Sequence, residues 1–246
     1  MTAEQNIPDW IVNIRPRPPW IRKLLRWVTY GLGNLVAKID LKGRENIPEE
    51  GPLILVGNHF TIWEPPMMIY AIPKPLNILA AGDLTWEPTQ AWATFIYGYI
   101  PTNREHLRPS TIREATKALK RGEFLALFPE AGMNEEALQL RRGKPGAVYL
   151  SAMTHSRILP VGFSGYGHDK KYWKNFERMP LKIRIGKPFG PFSLSKDPAQ
   201  KKQQLEEYSD EIMQRVAGLI PPEMRGEYQD DPEVKNYEMY EFKSSV

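Results

Sequence analysis

The chain alternates short apolar runs with longer amphipathic segments between residues 39 and 219. The apolar runs are bounded by Gly, Pro or polar residues and are too short for typical helices, so they predict buried strands. These predicted strands are 53–56, 77–81, 124–128 and 158–163. Two further strands are predicted at 40–43, on an edge, and at 181–185, where apolar positions alternate with basic ones.

Helices are predicted between the strands, at 67–71, 86–97, 145–155 and 198–219, with a short extended piece at 99–101. One more helix is predicted after Thr111, which has Glu114 three residues on and so the spacing of a capping box, and Gly122 is predicted to end it. Strands that alternate with helices predict an α/β fold, with a mostly parallel sheet flanked by helices.

Two candidate residues directly follow predicted buried strands. His59 comes after the strand at 53–56, and Glu130 comes after the strand at 124–128. Sites in parallel sheets form beyond the carboxyl ends of the strands, so we expect both residues at the same edge. Pro160 falls inside a predicted strand, which predicts an edge or bulge position for it.

Residues 20–38 predict an amphipathic helix with Trp and Leu on one face and basic and polar residues on the other. This composition is typical of a helix that lies in a membrane interface, where each basic residue near an anionic leaflet contributes about 1 kcal/mol. The alternative is a helix whose apolar face packs on the protein's own core. The N-terminus lacks a signal-peptide pattern, and no uncharged apolar run is long enough to span a bilayer.

Length and composition predict one domain with an added N-terminal element. The predicted units are a leader and interfacial helix at 1–38, a main domain at 39–225 and an acidic, flexible tail at 226–246. The chain has no Cys, which excludes thiol nucleophiles and disulfides. A net charge of +4 is too small to require a polyanionic partner, so no nucleic acid is expected.

His59 and Glu64 are the first candidates for chemistry. His59 lies on a predicted strand-to-helix loop, and Glu64 lies at the start of the next helix, where the helix dipole favours an ionised carboxylate. Across the loop the carboxylate can fold back onto one imidazole nitrogen and leave the other as a base. A buried or solvated structural histidine is the alternative. The four histidines show no metal-ligand spacing, so no metal is expected.

Further candidates lie in two predicted turns at this edge. Arg104 could present a guanidinium to a phosphate, or could be a solvated charge. The turn at 129–132 contains Gly132, which permits close backbone approach to a ligand, although a plain strand-end turn fits as well.

Four motifs occur in a fixed order: His59-x4-Glu64, Gly98-x-Ile100-Pro101-x-x-Arg104, Phe128-Pro129-Glu130-x-Gly132 and Leu159-Pro160-Val161. Together they resemble the glycerolipid acyltransferases, specifically the 1-acylglycerol-3-phosphate acyltransferases, and the resemblance spans residues 42–188.

The resemblance implies an O-acyltransferase of phospholipid biosynthesis on the cytoplasmic face of a membrane, either peripheral or monotopic. It would move an acyl group from acyl-CoA or acyl carrier protein, as co-substrate and without a cofactor, to 1-acylglycerol-3-phosphate, making phosphatidic acid. His59 would be the base and Glu64 would orient it.

The other motifs would bind the substrates. The second and third motifs, with Gly98, Arg104, Glu130 and Gly132, would bind the acceptor's phosphate and glycerol, and Pro160 would lie on the acyl-donor side. Because a carboxylate repels phosphate, orienting Arg104 or a hydroxyl is the favoured role for Glu130.

Two departures from the family pattern keep other acceptors open. Glu64 stands where the family usually has Asp, and Ala131-Gly132-Met133 replaces the usual Gly-Thr after the third motif's Glu. Three basic residues follow (Arg141, Arg142 and Lys144), which either help to hold a phosphate or form a solvated basic turn. The alternatives are therefore an acyltransferase for another lysolipid or a glycolipid, and a non-catalytic lipid-surface protein of the same fold.

Overall fold

A sheet of seven strands forms the centre of the computed structural model, which describes residues 15–81, 96–103, 107–165, 172 and 177–234. The strands are β1 (Ala37–Lys42), β2 (Leu53–Gly57), β3 (Leu76–Ala81), β4 (Ile100–Thr102), β5 (Phe124–Leu127), β6 (Arg157–Ser164) and β7 (Met179–Ile185). Their order across the sheet is β1-β7-β6-β2-β5-β3-β4. All neighbours are parallel except β6 and β7, which are antiparallel. The predicted mostly parallel sheet is therefore confirmed.

Helices connect the strands, as the alternating pattern predicts. They are α1 (Pro19–Val36), α2 (Glu64–Ala71), α3 (Pro109–Lys120), α4 (Gly146–Thr154) and α5 (Pro198–Ala217), with 3₁₀ turns at Arg44–Asn46, Pro222–Met224 and Gly226–Tyr228. The helix predicted at 86–97 lies almost entirely outside the described residues.

The core is centred on β2 and β5, which are neighbours in the middle of the sheet. Every residue of both strands is buried, as expected of strands with helices on both faces. β7 alternates between buried and more exposed positions, which confirms the period-two pattern at 181–185. Because β2 and β5 are parallel and in register from Leu53↔Phe124 to Val56↔Leu127, their carboxyl ends lie side by side.

The capping box predicted at Thr111 is wrong. The helix begins two residues earlier, at Pro109, with Arg108 as its N-cap and no side-chain cap. Thr111 is buried, and its hydroxyl donates to the carbonyl of Pro101 at 2.6 Å. The Thr111 hydroxyl, which the local pattern assigned to the helix cap, therefore bonds to strand β4 instead.

Pro160 lies at a bulge rather than at an edge. β6 is an interior strand between β2 and β7. Between the Val161↔Ile185 pair and the Ile158↔Phe189 bridge, Leu159 and Pro160 stand opposite the longer segment 186–188. At this irregular step the Pro160 carbonyl accepts the Gly186 N–H at 2.9 Å, and a bulge tolerates the missing N–H of proline.

Helix α1 packs with its polar face inward. Arg22 is buried and donates to the Leu76 carbonyl at 2.7 Å and to Asn77 Oδ1 at 3.0 Å. Arg26 donates to the Ile72 carbonyl at 2.8 Å. Burial lowers the pKa of both guanidinium groups. The expectation that these arginines face anionic lipid is therefore wrong for both of them, since they hold the helix to α2 and β3.

Most of the apolar face of α1 is exposed, so the alternative in which this face packs on the protein's own core is wrong for most of its residues, whereas Leu25 does pack partly against the core. The exposed large side chains of this face are Trp20, Leu24, Trp27, Val28, Leu32, Leu35 and Val36, of which Leu35 is 71% and Trp20 68% exposed. Of the helices in the described ranges, none combines the length and apolar character needed to cross a bilayer.

The predicted tail begins as folded chain. Tyr228 and Val234 are buried, and the Tyr228 hydroxyl donates to Asp210 on α5 at 2.9 Å. The 226–234 part of the tail therefore packs onto the main domain, and residues from 235 onward lie outside the described part of the chain.

Candidate active site

His59 and Glu64 meet at the carboxyl end of β2. Glu64 Oε2 lies 3.3 Å from Nδ1 of His59, so the loop folds the carboxylate back onto the ring as the sequence predicts. The Glu64 side chain is fully buried, whereas that of His59 is 20% exposed. The pair therefore has a buried carboxylate behind a ring that is partly exposed to solvent.

Thr61 holds the Glu64 carboxylate in place. Its backbone N–H donates to both carboxylate oxygens, at 3.0 and 2.9 Å, and its hydroxyl donates to Oε1 at 3.2 Å. Glu64 is also the first residue of α2, where the helix dipole favours negative charge. The buried carboxylate thus has donors on both oxygens, as a buried charge requires.

The His59 ring stacks on Phe128. The two ring centroids are 4.5 Å apart, with 27° between the ring planes. Phe128 follows β5, so the adjacent strand end supplies the platform that fixes the plane of the imidazole. With Glu64 on one nitrogen and Phe128 against the face, the ring has one orientation.

Glu130 ties two loops together at this edge. Its Oε1 accepts the backbone N–H of His59 at 2.7 Å, and its Oε2 accepts the backbone N–H of Arg141 at 3.1 Å. The predicted proximity of His59 and Glu130 is therefore confirmed. Burial raises the pKa of Glu130 to about 7, although the hydrogen bonds from these two N–H groups act to lower it.

The turn after Glu130 differs from the expectation for glycine. The left-handed backbone conformation falls on Ala131, at φ 56°, rather than on Gly132. The Gly132 carbonyl accepts a hydrogen bond from Arg141 Nη2 at 2.6 Å, and the Met133 carbonyl accepts a second from the same nitrogen at 3.1 Å. Arg141 therefore closes this turn with its side chain and binds Glu130 with its backbone.

The remaining predicted residues lie apart from this cluster or outside the described chain. Arg104 is outside the described residues. Gly98 has φ 73° and lies against the leader, where an added Cβ would come within 2.2 Å of the Arg15 carbonyl oxygen. Pro160 is buried in β6 and is paired with Val56, three residues before His59.

Sequence reasoning missed Thr61 as part of the site, and it missed the contacts that Phe128 makes with His59 and Arg141 makes with Glu130. Thr61 and Glu64 have the Thr-x-x-Glu spacing of a capping box, so that pattern could have found the bond from Glu64 back to the Thr61 N–H. No local pattern signals the stacking of Phe128 on His59, because it depends on strand order. Among the described residues, no group of three or more His, Asp or Glu side chains could hold a metal ion.

The fold and this site define the class of the protein. The family model described as Acyltransferase matches residues 38–164, a range that runs from the second residue of β1 to the end of β6 and contains the whole His59–Glu64–Glu130 cluster. The chain belongs to this acyltransferase family.

Two relatives carry the same name, 1-acyl-sn-glycerol-3-phosphate acyltransferase. The protein from Borreliella burgdorferi is 32% identical over 126 residues, which are 50% of this chain and 50% of that protein. The protein from Bacillus subtilis is 29% identical over 186 residues, covering 74% of this chain and 87% of that protein. The match to the Borreliella protein thus spans half of that protein's length.

A solved structure shares the fold. The crystal structure of the 1-acyl-sn-glycerophosphate acyltransferase from Thermotoga maritima superposes with a TM-score of 0.54 and 22% sequence identity. The superposition covers 77% of this chain and 78% of that one. At this identity the likeness supports the architecture, a mostly parallel sheet flanked by helices.

Proposed function

We propose that the protein transfers a fatty acyl group to the free hydroxyl of 1-acylglycerol-3-phosphate and so makes phosphatidic acid. The donor is acyl-CoA or acyl carrier protein. Membership of the acyltransferase family and the names of the relatives support the reaction class and the acceptor. The observation that carries the proposal is the His59–Glu64 pair, in which a buried carboxylate lies 3.3 Å from Nδ1 of an accessible imidazole.

The geometry supports a general-base mechanism. A carboxylate acceptor at Nδ1 favours the tautomer with the proton on that nitrogen, which leaves Nε2 unprotonated. Nε2 accepts the proton of the lipid hydroxyl as its oxygen forms a bond to the thioester carbonyl carbon. The carbon–sulfur bond then breaks, and the proton returns from the imidazolium to the leaving thiolate. Glu64 stabilises the imidazolium between the two proton transfers, and no acyl-enzyme forms.

The second motif and the turn after Glu130 form the proposed acceptor side. In this assignment Arg104 binds the acceptor's phosphate, with Gly98 shaping its loop and Gly132 lining the glycerol. Pro160 takes the acyl-donor side. Glu130 contributes by position, since its two oxygens hold the backbone N–H groups of His59 and Arg141.

The exposed face of α1 is the proposed contact with the membrane, as expected for a peripheral or monotopic protein on the cytoplasmic face. A contiguous row of exposed Trp, Leu and Val side chains is costly in water and is typical of interfacial helices. Arg22 and Arg26 fix the helix to the domain by their bonds to the carbonyls of Leu76 and Ile72. The row would therefore hold the domain, with its active site, at the lipid surface where the acceptor resides.

An acceptor panel tests the proposal. Purified protein is incubated with isotope-labelled acyl-CoA, and in parallel with acyl carrier protein, together with lysophosphatidic acid, other lysophospholipids and acylated sugars. Products are identified by mass spectrometry. Transfer to lysophosphatidic acid is expected. Transfer only to another acceptor would show that the substrate is a different lysolipid or a glycolipid. No transfer to any acceptor would indicate a non-catalytic lipid-surface protein.

A further inference from the structure

Arg141 lies on a loop whose backbone is fixed on several sides. The Leu140 N–H donates to the Met224 carbonyl at 3.0 Å, and the Leu140 carbonyl accepts from the Glu227 N–H at 3.2 Å. The Lys144 N–H donates to the Pro129 carbonyl at 2.9 Å, and the Arg141 N–H donates to Glu130. Binding sites that exist before the ligand arrives lose less entropy on binding, so this loop has the rigidity of a prepared site.

The Arg141 guanidinium is hydrogen-bonded to neutral groups, although its charge is close enough to Glu130 to act against the rise in the pKa of that carboxyl. It donates from Nη2 to the carbonyls of Gly132 and Met133, which are neutral acceptors. Within the described part of the chain it forms no salt bridge, and the residue is exposed. The carbonyls use one nitrogen, and the guanidinium has further N–H donors on its other nitrogens for an anion.

The neighbouring Arg142 differs in this respect. Its Nε donates to Glu227 Oε2 at 3.2 Å, and its Nη1 lies 3.9 Å from Asp210 Oδ2. Two carboxylates therefore offset its charge. The sequence offered two alternatives for the basic residues of this loop. The structure distinguishes two of these residues, because Arg142 pairs with carboxylates at the surface while Arg141 bonds to the carbonyls of the turn that follows Glu130.

Arg141 is also placed next to the catalytic base. A single carboxylate, that of Glu130, separates the backbone nitrogens of Arg141 and His59. In 1-acylglycerol-3-phosphate the free hydroxyl and the phosphate are on adjacent carbon atoms. A residue that binds this phosphate must therefore lie close to the residue that takes the hydroxyl proton.

We propose that Arg141 binds the phosphomonoester of the acyl acceptor and selects acceptors that carry one. This rests on the proposed function and deepens it, since it adds a specificity-determining residue outside the four motifs to the phosphate-binding role given above to Arg104. Glu130 fixes the distance between the phosphate-binding arginine and the base, so hydroxyl and phosphate are positioned together. Planar, paired donors suit a phosphate better than a point charge does, so lysine is an incomplete substitute.

The test compares Arg141→Ala and Arg141→Lys with Arg142→Ala, the matched control that removes the same charge from the next residue. Steady-state kinetics are measured in detergent mixed micelles with lysophosphatidic acid and with monoacylglycerol, which has a hydroxyl but no phosphate. For lysophosphatidic acid, Arg141→Ala should raise KM by about 10- to 100-fold, as expected for the loss of charged hydrogen bonds. Arg141→Lys should give an intermediate KM, and Arg142→Ala should change KM by less than about twofold.

With monoacylglycerol, Arg141→Ala should lower kcat/KM by at least about fivefold less than it does with lysophosphatidic acid, because this acceptor has no phosphate to lose and only the closing of the Gly132–Met133 turn is affected. An unchanged KM for lysophosphatidic acid in Arg141→Ala overturns the inference, as does an equal loss on both acceptors or an equal effect of Arg142→Ala. The hydrogen bond from the Arg141 main chain to Glu130 should survive these substitutions, because it does not involve the side chain. Thermal denaturation shows whether each variant is folded. If Arg141→Ala does not fold, Arg141→Lys is compared with the wild type instead. Absence of wild-type transfer to lysophosphatidic acid is a different result, because it contradicts the proposed function itself.

Discussion

The backbone N–H of His59 donates to Glu130 Oε1 at 2.7 Å, which joins residues 71 positions apart in the chain. The second oxygen of the same carboxylate accepts the backbone N–H of Arg141. One buried side chain thus sets the relative positions of His59, the proposed catalytic base, and the loop that contains Arg141. This link depends on two parallel strands, β2 and β5, that end side by side.

Glu130 should make stability pH-dependent in a specific direction. Burial raises its pKa from 4.5 to about 7 in the folded protein. Between these values the native state holds a proton that the unfolded chain has lost, so the contribution of Glu130 to stability is full below about pH 4.5 and is lost as the pH rises to about 7. Glu130→Gln cannot titrate, so the melting temperature of this variant should fall less than that of the wild type between pH 5 and pH 7.

Thermal denaturation across this range checks the difference, with the exposed Glu49→Gln as control. Parallel curves for wild type and Glu130→Gln would contradict it.

Substitutions at Glu64 should affect turnover more than acceptor binding. Glu64→Gln keeps the shape but loses the charge that stabilises the imidazolium, so kcat should fall at least about tenfold with little change in KM. Glu64→Asp should also lower kcat, because a shorter side chain cannot reach both Thr61 and Nδ1 of His59 from the start of α2. Steady-state kinetics on lysophosphatidic acid measure both, with Glu206→Gln, at an exposed position on α5, as control. A Glu64→Asp variant more active than the wild type would contradict the proposal that Glu64 orients the His59 imidazole well.

The apolar face of α1 should be needed for lipid binding. Trp27 is 58% exposed on this face, and replacing it with Glu removes a large apolar side chain and adds a charge. Co-sedimentation with phosphatidylglycerol-containing vesicles should show a partition coefficient lower by at least about tenfold for Trp27→Glu. Ser110→Glu, which adds the same charge at an exposed position on α3, should bind as the wild type does. Equal binding by Trp27→Glu and the wild type would remove α1 from the membrane contact.

The backbone conformations of Ala131 and Gly98 predict opposite stability effects. Ala131 adopts φ 56°, which is unfavourable for a residue with a Cβ, so Ala131→Gly should keep or slightly raise the melting temperature. Gly98 adopts φ 73°, and a Cβ there would collide with the Arg15 carbonyl. Gly98→Ala should therefore lower the free energy of unfolding by about 2 kcal/mol. Denaturant unfolding of both variants tests the pair, and a stable Gly98→Ala would mean that the leader can move away.

The sheet was predictable from sequence because its strands are short, apolar and bounded by turn residues. The carboxyl ends of β2 and β5 follow from that pattern, and so does the meeting of His59 with Glu130. The approach of Glu64 to His59 was also predictable, since five residues on a loop at a helix start leave few other placements.

Contacts between distant elements were not predictable in the same way. The hydroxyl of Thr111 binds β4 rather than its own helix terminus, because a tertiary acceptor competes with the local cap. The sequence gives the two faces of α1 but not which one faces the domain; carbonyls at Leu76 and Ile72 favour the arginine face. Arg142 forms salt bridges and Arg141 does not, and this difference depends on carboxylates of α5 and of the C-terminal segment, which are distant in sequence.

The most direct measurement is the formation of phosphatidic acid from labelled acyl-CoA and lysophosphatidic acid by the wild type and by His59→Ala, followed by mass spectrometry. The wild type should form the product, and His59→Ala should lower kcat by about 10²- to 10⁴-fold while remaining folded. A folded His59→Ala variant that transfers acyl groups at the wild-type rate would contradict the account, because the proton would then have to leave the lipid hydroxyl by another route.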